Sequence, residues 1–292
     1  MNRTHELRRA AETERVTVRQ LRPTEEPAWI RRLLIGVTLT LLSLLILAPL
    51  LLVFAEAMSE GVSAWMRAVS EPAALHAISL TLLVAAVAVP VNVVFGLAAS
   101  WLLARHRFRG RDLMLSFIDL PFAVSPVVAG LMFVLIFNAQ SVIGGPLASA
   151  GIRVLFAPPS MILATIFVTF PIVARELIPL MEAQGADEEL AALSLGASAW
   201  QMWGRVTLPR IRWGLLYGVI LCNARTMGEF GAVSVVSGMI RGRTCTLPLH
   251  VEILYNEYQT AAAFAVASLL GGLALVTLAL KEWSGRRVHD ER

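Results

Sequence analysis

The chain has 292 residues, of which 57% are hydrophobic and 16% charged, with a mean hydropathy of +0.67. That composition excludes an ordinary soluble globular domain and points to an all-α integral membrane protein with several crossings. The formal net charge of +4 does not point to nucleic acid, because the basic residues are not grouped with aromatic stacking side chains on a polar surface.

Residues 1–28 mix six Arg with five Glu and lack a wide apolar stripe. They read as a mobile cytosolic tail that meets membrane lipid only transiently. A transmembrane domain follows over 29–284, with apolar runs at about 33–54, 74–104, 113–137, 160–179, 213–237 and 260–280. Each is close to the roughly 20 residues that carry a helix across about 30 Å of hydrocarbon. Six transmembrane helices are therefore predicted, and residues 285–292 form a cytosolic C-terminal tail. The first run is too long for a signal-peptide core and AEAMSEG is a poor cleavage site, so it is read as a retained helix.

Orientation follows from the arginines. Segments 1–32, 105–112, 175–212 and 281–292 hold 20 of the 25 Lys and Arg residues, so these lie on the cytosolic side and both termini are inside. Trp29, Trp101, Trp213 and Trp283 fall at predicted inner helix ends, the headgroup level that indole favours. Cys222 lies in a span and Cys245 in an outer loop, so no disulfide and no metal site is expected.

Pro49, Pro90, Pro121, Pro126 and Pro171 sit within the runs, where each removes a backbone hydrogen bond. The third run is the densest, with Asp119-Leu-Pro-Phe followed by Ser125-Pro, and reads as a bent helix that lines or gates a path. In the fifth run Arg225 and Glu229 lie about halfway across, where each ionised group costs about 2.5–3.5 kcal/mol. Gly214, Gly218, Arg225, Gly228, Glu229 and Ala232 fall on one helical face, so the charges point into the bundle. Two readings fit: a structural ion pair, joined by Asp119, or an anion path in which Arg225 assists passage and Glu229 tunes it.

Between the fourth and fifth runs, LAALSLGASAWQMWGRVTLP is too polar and too broken to span anything. Asp187 is placed to cap a short helix, with Glu188 and Glu189 at the positive end of its dipole. Gly196 stops that helix, Ser198 and Gln201 form a capping box for a second, and Pro209 marks its end. The chain has no GxxxxGK[ST] phosphate loop and no carboxylate chain resembling a proton relay, so any driving energy comes from elsewhere.

This stretch resembles the EAA loop of binding-protein-dependent ABC importer permeases, here over 182–212. Ala191, Ala192, Gly196, Val206, Leu208 and Pro209 match the register of that loop, and Leu190 stands where the family carries glutamate. Over about 70–282, DLPFAVSPVVAGLMFVLIF, NARTMGEFGAVSVVSG and IRGRTCTLPLHVEILYNEY resemble the W-type sulfate/thiosulfate permease subunits. The resemblance implies a six-helix, type I ABC importer transmembrane domain in the bacterial inner membrane, paired with a homologous T-type permease. It implies a sulfate-transport ATPase dimer carrying ATP and Mg, with no cofactor on this chain, and a periplasmic sulfate- or thiosulfate-binding protein. It places ATPase coupling at Glu188, Glu189, Leu190, Ala191, Ala192, Gly196, Ala197, Ser198 and Pro209, and the path or gate at Arg225, Glu229 and Asp119. Arg241 and Arg243, in an outer loop, either meet the binding protein or are solvated charges. A molybdate or tungstate permease shares the pattern of the fifth run and stays open as an alternative, as does an autonomous anion channel. A membrane-embedded enzyme would need converging catalytic groups, whereas the five His are scattered.

Overall fold

Proline decides where many of the helices begin. It has no N–H to leave unpaired and its φ is already near the helical value, so it fits a first turn. Pro72, Pro126, Pro158, Pro171, Pro209 and Pro248 all occupy first turns. A computed structural model describes residues 28–290, with only the helix backbone for 281 and 283–290; the expected tail at 1–27 lies outside the described residues.

In chain order the helices are α1 (Ala28–Ala57), α2 (Val62–Ser70), α3 (Pro72–Arg105), α4 (Arg111–Ala123), α5 (Pro126–Phe137), α6 (Gly144–Ser149) and α7 (Pro158–Thr169). They continue as α8 (Pro171–Gln184), α9 (Asp187–Ser194), α10 (Ala199–Met202), α11 (Leu208–Met227), α12 (Gly231–Ser237), α13 (Leu247–Asn256) and α14 (Thr260–Asp290). No strand occurs among the described residues. The chain divides into two units, 1–52 and 53–292. In the first, α1 is apolar all round and mostly exposed, as a lipid-facing span is.

Among the described residues, four segments are long and apolar enough to cross a bilayer unaided: Ala28–Ala57, Pro72–Arg105, Pro158–Gln184 and Thr260–Leu280. Two further crossings exist if each bent pair is counted as one, α4 with α5 at 104° and Ala199–Met227 with α12 at 48°. The third expected span is therefore no straight rod. Ser125 precedes Pro126 and takes the extended backbone that a following proline imposes, with φ −59° and ψ 134°. Phe170 also precedes a proline yet stays helical, at φ −61° and ψ −30°. Its ring sits between Phe95 and Phe167, at centroid distances of 5.3 and 6.3 Å, and packing there overrides the local preference. At the far end, the expected tail from 285 is, as far as Asp290, a continuation of α14.

Within the second unit α3 packs along α7, α8 and α11, α5 packs on α12, and α14 packs on α11 and α13. One cluster joins Val89 of α3, Val173, Leu177 and Met181 of α8, and Ile211 and Cys222 of α11. Another joins Leu80 and Val84 to Met161, Val168, Val233, Cys245 and Leu249. The two cysteines thus stand as free thiols in separate clusters. Close approach of α3 to α8 depends on Gly96, where a Cβ would lie 2.6 Å from Val173 Cβ. Gly214 of α11 faces α8 in a similar way, with Leu180 Cδ2 where a Cβ would stand, while Gly218 leaves ordinary contact room over Val173.

Glycines in contact and glycines in open space should respond differently to a larger side chain. Gly96→Leu forces α3 off α8 and costs about 1–3 kcal/mol, read as a lower thermal midpoint of the solubilised chain. Gly272→Leu, with nothing within 4 Å, leaves the midpoint unchanged. Burial pushes the Cys245 thiol up to about 11, so maleimide labels it at pH 8 only after denaturation.

Candidate functional site

Helix α9 opens with three acids, Asp187, Glu188 and Glu189, which suit the positive end of its dipole. Its N-cap is Ala186 and no side chain caps it, so Asp187 is the first helical residue and not the cap. The three acids then go separate ways. Glu189 is turned inward: Arg105 Nε donates to its Oε2 at 2.8 Å, and Arg105 Nη2 and Thr207 Oγ1 donate to its Oε1 at 2.9 Å. The side chains of Arg105 and Glu189 are each only 7% exposed. Arg105 Nη1 also donates to the Met181 carbonyl at 2.7 Å. Glu188 remains at the surface, 3.2 Å from Arg210 Nε.

The helix ends in a Schellman motif. Gly196 takes φ +86°, its N–H bonds to Leu193 O at 3.0 Å, and Ala197 N–H bonds to Ala192 O at 3.1 Å. Ser198 and Gln201 then form the expected reciprocal box, at 3.3 and 2.9 Å. The next turn departs from expectation. Pro209 ends nothing: α10 passes through a wide π turn, Trp203–Thr207, straight into α11. Leu208 N–H bonds to Trp203 O, five residues back. Proline supplies no N–H for the Arg205 carbonyl, and widening the turn accommodates it.

The result is a two-helix foot with Leu190, Ala191, Leu193, Leu195, Gly196, Ser198, Trp200 and Pro209 exposed and Ala192 and Ala197 half-buried. Leu195 and Trp200 are 89% and 83% exposed, which leaves an apolar face for a partner. Glu189 has no part in that face, contrary to its place among the expected contacts, because both its oxygens are occupied inside.

The second cluster lies where α11 breaks. Arg225 Nη1 stands 2.7 Å from Glu229 Oε2, and Ala232 N–H donates to Glu229 Oε1 at 3.1 Å. Since α11 stops at Met227, Glu229 does not sit four residues along the same helix as its partner; it lies in the break, one residue before the N-cap Phe230, and accepts from the first turn of α12. The unfavourable Arg-before-Glu order on a helix is thereby removed. The Glu229 side chain is 1% exposed and that of Arg225 is 43% exposed, so the guanidinium keeps an open face. Asp119 does not join them. It binds Arg175 Nε at 2.8 Å, while the Arg175 guanidinium lies 4.6 Å from the Phe122 ring centroid. Arg175 escaped the sequence reading because it was assigned to a cytosolic segment; an aspartate in an apolar run was the signal that a cation stood nearby. Asn92 was missed as well: its Nδ2 donates to Thr169 Oγ1 at 2.7 Å inside the bundle.

Between α12 and α13, Arg241 pairs with Glu257 at the end of α13, at 2.7 Å. Arg243 is exposed, and its carbonyl is 3.1 Å from His76 Nε2.

Residues 92–290 match the model of the family described as "Binding-protein-dependent transport system inner membrane component". The chain belongs to that family. This permease is 48% identical over 263 residues to the sulfate transport system permease protein CysW of Escherichia coli (strain K12), covering 90% of each chain. It is 54% identical to the CysW protein of Synechocystis sp. (strain ATCC 27184 / PCC 6803 / Kazusa), over 87% of this chain and 92% of the other. To the sulfate transport system permease protein CysT of Escherichia coli (strain K12) it is 35% identical, over 88% and 97%. In fold it is similar to the crystal structure of a bacterial alginate ABC transporter in complex with an alginate pentasaccharide-bound periplasmic protein. That match has a TM-score of 0.72 at 17% identity and covers 89% of this chain and 95% of the other. The permease is thus an all-helical, multi-pass membrane protein of the ABC importer type.

Removing one partner of the pair at the α11 break should harm more than neutralising both. Arg225→Ala leaves Glu229 buried and unpaired and costs on the order of 2 kcal/mol. Arg225→Met with Glu229→Gln recovers most of it, since glutamine still accepts from Ala232 N–H. Membrane levels and thermal midpoints of the three chains check this.

Proposed function

We propose that the permease is the membrane-spanning subunit of an ATP-driven sulfate importer and moves the oxyanion by alternating access. Supporting this reading is identity of about half to proteins named sulfate permeases across nearly the whole chain. The structural observation that carries it is the foot: a rigidly stopped two-helix element whose outer face is apolar and exposed. A subunit without a nucleotide-binding loop needs such a surface to receive force, and an ATPase pair fits it. Leu190, Leu193 and Leu195 supply apolar contact there, and Ala191, Ala192, Gly196, Ala197 and Ser198 allow close approach. Glu188 and Pro209 lie at the rim, with Leu190 replacing the glutamate of the related motif. ATP and Mg belong to that partner, and this chain is a transport subunit and not an enzyme.

The resemblance to both W-type and T-type permeases supports a pair of homologous subunits with the path between them. In that pair the open face of Arg225 meets the passing dianion, while Glu229 holds the guanidinium in place and limits how tightly the anion binds. Asp119, already paired with Arg175 beside the 104° bend, takes a gating position and not a binding one. A periplasmic sulfate- or thiosulfate-binding protein delivers the anion, with Arg243 more available to it than the paired Arg241. The location is the bacterial inner membrane. The named relatives do not favour the molybdate or tungstate reading.

The decisive experiment is uptake of labelled sulfate into vesicles holding the assembled complex, with ATP inside and competing oxyanions outside. Ala191→Trp or Gly196→Val should abolish uptake while the chain stays in the membrane, and the ATPase should no longer co-purify. Full uptake in either variant, or uptake without any ATPase, would overturn the reading.

A further inference from the structure

The polar links around the foot differ in kind. Gln184 and Arg210 exchange hydrogen bonds at 3.0 and 3.1 Å, which ties the end of α8 to α11 but does not reach α9. Glu188 reaches Arg210, but its side chain is 61% exposed and the pair is screened by water. A third link is buried. Four elements converge on Arg105 and Glu189: the last residue of α3, the first turn of α9, the last turn of α8 through Met181 O, and the π turn through Thr207. Planar, two-point binding of a carboxylate by a guanidinium fixes angle as well as distance. Thr207 fills a further acceptor position on the same oxygen, so the carboxylate has little freedom to turn.

From this we propose that Arg105 is a positioning residue for force transmission, locking the coupling helix α9 to the inner end of α3 so that foot and span move as one body. The proposal rests on the reading of the foot as an ATPase-receiving element. Helix α3 has 34 residues, a lever of about 50 Å at 1.5 Å per residue. It packs along α7, α8 and α11, so an angle imposed at Glu189 is passed to the elements around the bundle's polar interior. Without the lock, α9 can follow the ATPase while α3 stays behind, and nucleotide is hydrolysed with little transport.

The complete complex tests this, reconstituted with its partner permease, ATPase pair and binding protein, and spin-labelled at Ser194→Cys on α9 and Ala98→Cys on α3. In Arg105→Ala the ATPase still co-purifies and the distance distribution between the labels broadens. ATP consumed per sulfate transported rises roughly two- to thirtyfold, the range found for residues that couple distant sites. Arg105→Lys falls between, since lysine keeps the charge and loses the fork. The reversed pair Arg105→Glu with Glu189→Arg brings both readouts part of the way back. The milder Thr207→Val broadens the distribution less than Arg105→Ala.

An unchanged distribution in Arg105→Ala would overturn the proposal, as would a broadened one with an unchanged ATP-to-sulfate ratio. Loss of the assembled complex in both Arg105→Ala and Thr207→Val would reduce the pair to a folding role and overturn it too. A wild-type complex that moves no sulfate sinks the substrate reading alone. The lock is then judged on the label distances, where broadening in Arg105→Ala supports it and a narrow distribution ends it.

Discussion

Hydrocarbon offers no hydrogen-bond partners, and several unusual features of this permease meet that constraint from within the chain. Six prolines stand in first turns, where an N–H would have been unpaired in any case, and at Pro209 the preceding turn also widens. Charges among the apolar residues have partners: Arg225 with Glu229, and Asp119 with Arg175. The Asn92 amide donates to Thr169 at the core of the bundle. Polar groups satisfied in this way stay put, and the positions where they are satisfied asymmetrically are the ones with something left to offer a ligand.

The three principal ion pairs form a series in exposure. Arg105 and Glu189 are closed to solvent on both sides, and their pair holds elements together. Arg225 and Glu229 are closed on the acid side only, so a cation is presented while its counter-charge is hidden. Asp119 and Arg175 are both about half exposed, which suits a contact that can be remade when helices shift. The same chemistry thus gives a closed pair, a half-open pair and an exposed pair, and burial separates the three.

Much of the foot was legible in the sequence because its signals are local. A left-handed glycine stop and a Ser/Gln capping box depend on residues within a few positions of one another, and both stand where the pattern of small and polar residues placed them. The partner of Glu189 was not legible. Arg105 is 84 residues away in the chain, and nothing in the acidic run Asp187-Glu188-Glu189 marks the third acid as inward. Pro209 misled for a related reason: as a local signal it ends helices, but α11 begins on it and the π turn absorbs the defect.

The amino-acid order alone was enough for the membrane class, for apolar runs of spanning length and for a small-residue foot between the fourth and fifth of them, because hydropathy and capping act over one or two helical turns. Folding decided which charges meet, that the third run bends by 104° while the fourth stays nearly continuous across Pro171, and that Glu189 is spent inside the protein. Those outcomes depend on contacts between residues far apart in sequence, whose energies no local pattern records. Ser125 and Phe170 face the same proline restriction, yet Ser125 is extended while Phe170, packed against the Phe95 and Phe167 rings, stays helical.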